Sequence, residues 1–220
     1  MTTDEKSNGL YYIDNELPKV STDVLETPSS AMLDKWIVEW NKPYLKNPED
    51  FLRMIFTKFD NLKEDEVEIK VRSLNALYHT NLNETDVRYM IYNITHCDFD
   101  HKIKKGDFSV VDDIRRSITI KGNEKSCICF ASKYCNWCDH NIYPIYDNYV
   151  KNLLTDYNKE YRFSQVALKR GQMVKNYLRF YNDFISYFKI DRTKYTYKQI
   201  DMALWLYAKA RKKSSGKSDA

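Results

Sequence analysis

Apolar residues recur at three- and four-residue intervals through most of the chain, the spacing that builds one face of an α-helix. Met32, Trp36, Ile37 and Trp40 mark a first helix capped by Ser29 or Ser30. Asn47-Pro48-Glu49-Asp50 reads as the start of a second, with Asn as cap, Pro in the first turn and Phe51, Met54, Ile55 and Phe59 as its stripe. A third is predicted over about 64–78, with Val67, Val71, Leu74 and Leu77 on one face. A fourth follows Asn83 and carries Val87, Met90, Ile91 and Ile94. Asp107 or Ser109 opens a short helix holding Val110, Val111 and Ile114.

Gly122-Asn123-Glu124 then breaks the chain, and Lys125 to Trp137 reads as a mostly apolar helix. Tyr143-Pro144-Ile145-Tyr146 is extended, because proline disfavours α geometry in the residue before it. Asp147 caps a helix over 148–157 with Val150, Leu153 and Leu154 inward. The clearest amphipathic stretch is 172–188, and the last helix covers about 196–211. No convincing strand run interrupts these eight or so helices, so the expected class is all-α. Residues 1–28 are expected to form an irregular arm, 29–211 the helical domain, and 212–220 a disordered basic tail.

Composition narrows the picture. At 220 residues the chain is long enough for one large domain or two lobes sharing a core. Mean hydropathy is -0.66 and 30% of residues are charged, and no stretch approaches the ~20 apolar residues of a membrane span. The 18 Tyr, 10 Phe and 4 Trp exclude wholesale disorder. Only 5 Gly are present, about a third of average usage, which disfavours a hairpin-rich β fold. The net charge of +4 is mild but uneven. Residues 1–30 carry six acids against Lys6 and Lys19, whereas residues 189–220 carry nine bases against three acids. A basic end fits contact with a phosphate backbone, although a solvated surface is the commoner explanation. Residues 1–8 are polar and no apolar signal region follows, and the five cysteines read as reduced thiols of a cytoplasmic protein.

Several constellations are candidates for chemistry. Cys127, Cys129, Cys135, Cys138 and His140 have the look of a metal site. Cys127 and Cys129, however, stand two apart within an apparent helix, so their side chains diverge, and core packing is the better reading. Asp147 is an N-cap or a carboxylate held in a dry cleft where it stabilises a developing cation. The polar turn His79-Thr80-Asn81 after Leu74–Tyr78 is a helix end or a set of side chains able to reach base edges. Asp201, Trp205 and Tyr207 are core residues or a surface on which an extruded base stacks.

Taken together, four segments resemble the helix-hairpin-helix DNA glycosylase superfamily, in its 8-oxoguanine glycosylase-like bacterial branch. Leu74-Asn75-Ala76-Leu77-Tyr78-His79-Thr80-Asn81 is similar to the helix end from which the family inserts an amide beside the extruded base, a place taken by Asn81. Gly122 to Tyr134 is similar to the hairpin end and the lysine-bearing helix. Tyr143-Pro144-Ile145-Tyr146-Asp147 matches the Val/Ile-Pro-x-Asp segment whose Asp is catalytic, and Asp201-Met202-Ala203-Leu204-Trp205 looks like the C-terminal helix. They occur in family order across residues 70–210. The Leu-Pro-Gly-Val-Gly hairpin is absent; only Gly122 remains, flanked by Lys121 and Asn123, and the phosphate grip falls to Lys121 and Lys125.

The resemblance implies a two-lobed helical fold with a degenerate hairpin, a monomer, and no metal or other cofactor. The partner implied is double-stranded DNA carrying a damaged or modified base, 8-oxoguanine or a base of invading phage DNA, at the nucleoid. It also implies base excision with possible AP-lyase chemistry. The base is flipped out and held by Trp205, Asp201 and Tyr207, Asp147 stabilises the sugar cation, and a lysine attacks C1′. Lys133 and Lys125 are the candidate nucleophiles. Lys133, amid Phe130, Ala131, Tyr134 and Trp137, is favoured because desolvation lowers an ammonium pKa. The alternatives are a glycosylase-shaped protein that binds DNA without chemistry, and an unrelated helical interaction or metal-binding protein.

Overall fold

The computed structural model describes residues 17–118, 122–168 and 173–215. The described chain is mostly helical. Ser29 caps α1 (Ser30–Trp40) through its side chain, and α3 (Glu64–Tyr78) occupies its expected span after α2 (Pro43–Lys58). Asn83 and Asp86 close a capping box on α4 (Glu84–His96), and α5 (Phe99–Lys105) and α6 (Ser109–Ile114) follow. The remaining helices are α7 (Ile128–Cys138), α8 (Asn148–Tyr161), α9 (Met173–Tyr187) and α10 (Tyr197–Ser214).

Four features depart from the expectation. First, α2 begins at Pro43, not Asn47, because Pro43 has the right φ for a first helical position and the Lys42 carbonyl accepts from both Leu45 and Lys46. Pro48 is therefore inside the helix, where its missing N–H removes one hydrogen bond. Second, α5 is too short to leave a periodic signal; it ends at Gly106 in the left-handed region (φ 67°). Third, α8 and α10 run on to Tyr161 and Ser214, four and three residues past their expected ends.

Fourth, the segment between α6 and α7 is not purely helical. Strands β1 (Arg116–Ile118) and β2 (Glu124–Ser126) pair antiparallel, with Ser117 opposite Lys125. Both side chains point to one carboxylate. Asp86 Oδ1 accepts from Ser117 Oγ at 2.7 Å, and Oδ2 accepts from Lys125 Nζ and from the Asn83 N–H. Burial opposes the charge on Asp86, but those three donors hold its pKa below the ordinary value. The ribbon is thus anchored to the first turn of α4, and α7 starts three residues later than periodicity predicts.

Buried side chains fall into two clusters. One joins α1, α8, α9 and α10 around Trp36, Tyr157, Tyr181 and Phe184; the other joins α2–α7 around Val71, Met90, Phe130 and Tyr134. Tyr78 and Ile128 pack against both. The polar site described next lies on this seam. Among the described residues no helix is long and apolar enough to cross a membrane.

Candidate functional site

Helix α7 is unusual in being buried around its whole circumference from Phe130 to Trp137, which carries Lys133 inside with its neighbours. The extended segment 143–146 is tied down beside it at three points. Asn136 Nδ2 donates to the Tyr143 carbonyl (2.6 Å), Ser132 Oγ accepts from the Tyr146 N–H (2.9 Å), and Tyr177 OH donates to the Ile145 carbonyl (2.9 Å). These bonds aim Asp147. Its Oδ1 caps α8 by accepting from the Tyr149 N–H at 2.8 Å, while Oδ2 lies 3.4 Å from Lys133 Nζ. Asp147 is therefore both a cap and a buried ion-pair partner.

Lys133 Nζ also lies 3.3 Å from Cys129 Sγ, one turn back on α7, and over the Tyr78 ring. Burial disfavours its ammonium form, as the sequence suggested, but the neighbouring Cys129 and Asp147 outweigh burial and raise the pKa above the ordinary lysine value. This corrects the expectation of a depressed lysine. In the resting site Lys133 is a paired cation.

A second buried pair sits beside the first. Lys198, in the first turn of α10, donates to Glu49 of α2 at 3.1 Å and contacts the Tyr78 hydroxyl, which itself donates to Glu49. Burial pushes the Lys198 pKa down, opposed by Glu49 and Asp201. Asp201, one turn further along α10, is pushed well above the ordinary carboxyl range, first by burial and then by the charge of Asp147. Its Oδ1 has no hydrogen-bond partner among the described residues. Trp40 and Trp205 meet edge to face at 5.8 Å and, with Met202, complete the walls around Tyr78, Lys133, Asp147, Lys198 and Asp201. The open space between these groups is about 30 Å³, room for about one water molecule.

Of the residues expected from sequence, Asp147, Lys133, Asp201 and Trp205 come together in this cleft. Lys125 does not; it is on β2 and bound to Asp86, because its strand register faces it toward α4. Tyr207 does not either. Its ring packs on Trp36 and its hydroxyl accepts from the Glu26 N–H (2.7 Å), placing it in the core with α1. His79, Thr80 and Asn81 form the turn directly after Tyr78, with His79 (φ 46°) and Asn81 (φ 57°) left-handed. Asn75 braces that turn by bonding both the N–H and the carbonyl of Leu82 and accepting from Thr80. Gly122 precedes β2 with φ 76° in open space, and Asn123 beside it is exposed. Lys121 lies outside the described residues.

Glu49, Tyr78, Lys198 and Trp40 also belong to the site, unexpected from the sequence. Lys198 had a readable signal, since 198, 201, 202 and 205 share one helical face. The cysteines do not gather: among the described residues no three His, Cys, Asp or Glu side chains are placed to hold a metal ion. Cys127 and Cys135 are buried in the second core cluster.

No solved structure matches the chain. A Haemophilus influenzae protein, described as uncharacterized, is 35% identical over 136 residues, which is 61% of this chain and 62% of that protein. The similarity thus spans less than two thirds of the relative's length. Residues 32–144 match the family model HI_0787_N, described as an N-terminal domain. The match takes in Trp40, Glu49, Tyr78, Cys129 and Lys133 and stops just short of Asp147, so that the remaining walls of the cleft come from the chain that follows. Covering just over half of the 220 residues, it shows that the chain belongs to the HI_0787_N family.

Proposed function

We propose that the chain is a DNA N-glycosylase that excises a damaged or modified base, with Lys133 and Asp147 as its catalytic pair and a two-lobed glycosylase-like arrangement about the cleft. The observation that carries this reading is the meeting of the Lys133 amine and the Asp147 carboxylate, at 3.4 Å, in a buried cleft walled by Trp40 and Trp205. The turn 79–81 beside Tyr78 would face the duplex, and the basic end of the chain would follow the phosphate backbone.

The protonation state orders the steps. Lys133 starts as an ammonium and donates its proton to the departing base, the Asp147 carboxylate stabilises the sugar cation, and the amine so released attacks C1′; a proton then passes from the nitrogen to O4′ as the C1′–O4′ bond breaks, leaving a protonated Schiff base. Entry of a base requires Trp40 and Trp205 to part, since the closed cleft holds about one water. That closure favours a second reading, a DNA-binding protein of the same shape without chemistry.

Borohydride trapping on a panel of duplexes carrying different lesions tests both. The expected result is a covalent adduct on at least one lesion that is lost in Lys133→Gln and kept in Lys125→Gln and Lys198→Met. Loss in Lys198→Met or Lys125→Gln, with Lys133→Gln still trapped, overturns the assignment of Lys133. Lesion-selective binding with no adduct and no excised base on any duplex supports the second reading.

A further inference from the structure

The Cys129 thiol is in direct contact with Lys133, and the proposed chemistry does not use it. The two residues are four apart on α7, hence on one face of the helix, and Nζ stands 3.3 Å from Sγ. The amine has little freedom to move away. Its side chain is 7% exposed, and Asp147 holds it from the other side. Cys129 is less enclosed than Lys133, its exposure lying between buried and surface.

We propose that Cys129 and Lys133 form a covalent modification site, in which peroxide converts the thiol and amine into a reversible sulfenamide. In the first step Sγ attacks hydrogen peroxide, the O–O bond breaks, and the products are Cys129 sulfenic acid and one water; sulfur is oxidised and peroxide reduced. In the second, the Lys133 ammonium passes a proton to the Asp147 carboxylate, and the free amine attacks the sulfenic sulfur. The N–S bond forms, the S–O bond breaks, and the hydroxide leaves as water with a second proton from the nitrogen. A dithiol reductant reverses the product, restoring the thiol and the amine as it closes to its own disulfide.

Proximity directs the sulfenic acid to this fate. Well-oriented intramolecular attack reaches effective molarities on the order of 10⁵ M or more, far above the concentration of any thiol in solution. Asp147, already paired with Lys133, supplies the base that the amine needs. Burial holds the Cys129 pKa up and Lys133 opposes that rise, so the same contact that captures the oxidised sulfur also eases its oxidation. The site stands on this contact and does not depend on the glycosylase reading; if that reading holds as well, the modification removes the nucleophile.

The test is peptide mass analysis of the full chain after hydrogen peroxide, with dimedone present to capture free sulfenic acid. The expected product is an α7 peptide cross-linked between Cys129 and Lys133, two hydrogens lighter than the reduced peptide and restored by dithiothreitol. Dimedone labelling of Cys129 should be on the order of tenfold or more lower in the native chain than in Lys133→Gln. If that variant does not fold, the comparison is made with wild-type chain unfolded in urea, where the contact is lost and labelling should rise. Dimedone labelling of Cys129 in native wild type as high as in Lys133→Gln, a disulfide or a sulfinic acid there in place of the cross-link, or an unmodified Cys129, would each overturn the proposal. If lesion trapping is detectable, its loss on oxidation and return with dithiothreitol follow; a cross-link that forms while no lesion is ever trapped overturns only the glycosylase reading.

Discussion

Asp147→Asn isolates the buried ion pair from the helix cap. Asn caps nearly as well as Asp, so the hydrogen bond from the Tyr149 N–H survives, and only the charge facing Lys133 is lost. Removing one partner of a buried pair costs about 3–5 kcal/mol, because the remaining charge is left in a poor solvent. There is also an upper bound. Lys133 can avoid the penalty by releasing its proton, which at pH 7 costs about 4.6 kcal/mol from a reference pKa of ~10.4. A loss of about 3–4.5 kcal/mol at pH 7 is therefore expected. Its pH dependence is the sharper signature. In wild type the folded Lys133 pKa is raised, so the group contributes stability throughout the range below the unfolded pKa and loses it only as pH rises beyond. In the variant the folded pKa falls below the unfolded one. The unfolded state then binds more protons, and stability rises with pH by up to about 1.4 kcal/mol per unit between the two values. Urea unfolding at pH 7 and pH 9 measures both curves, and the gap between variant and wild type should narrow at pH 9. A gap below about 1 kcal/mol, or one that is the same at both pH values, would refute the claim that Asp147 neutralises a buried cation.

Glu49→Gln strips Lys198 of its carboxylate, but burial already depresses that lysine's pKa, so it neutralises more readily and the loss should be about 3 kcal/mol or less, smaller than for Asp147→Asn in the same urea titration. Asn75→Ala leaves the Leu82 N–H and the Thr80 hydroxyl without their partner, costing about 1–3 kcal/mol, and amide exchange should accelerate at residues 80–83 with little change in α9. Asp86→Asn loosens the β-ribbon by about 1–3 kcal/mol, discounted because Lys125 is over a third exposed. As the folded pKa of Asp86 is depressed, wild type keeps that stability above about pH 4 and loses it as pH falls further, so the two proteins should converge in acid unfolding.

The helical skeleton was legible because its signals are local. Ser29, Asn83 and Asp147 cap helices that carry apolar stripes, and each of the three accepts a hydrogen bond at its helix start as read. Strands β1 and β2 left no trace, since three residues cannot show an alternation and their pairing is set by Asp86, some thirty residues upstream of β1 and about forty before Lys125. The same limit governs the site. Asp147, Lys133, Asp201 and Trp205 were found through segments that each resemble one patch of a family. Glu49 and Tyr78 were missed because their role arises from a contact with Lys198 more than a hundred positions away. The apolar neighbours of Lys133 already set it apart from Lys125 in the sequence, and the structure separates them further, by strand register in one case and helix burial in the other. Tyr207 fell on the right helix but on the face that meets α1.

The two lysines of the cleft carry opposite shifts, and this bears on which amine would react. On protonation alone Lys198 is the better nucleophile, since burial lowers its pKa while the partners of Lys133 raise that of Lys133. Position reverses the order. Lys198 is spent on Glu49 and Tyr78 and lies against the rings of Trp40, Tyr78 and Trp137, so freeing it means dismantling the contact between α2 and α10. Lys133 is held by an ion pair at 3.4 Å, with its one carboxylate partner the very group that a sugar cation would claim. In the proposed reaction, positive charge developing on the sugar would share the attraction of Asp147 between two cations and weaken the hold on the Lys133 proton. The departing base gains basicity at the same moment. A raised pKa in the resting cleft is thus compatible with a nucleophilic amine, provided that proton loss is coupled to bond cleavage.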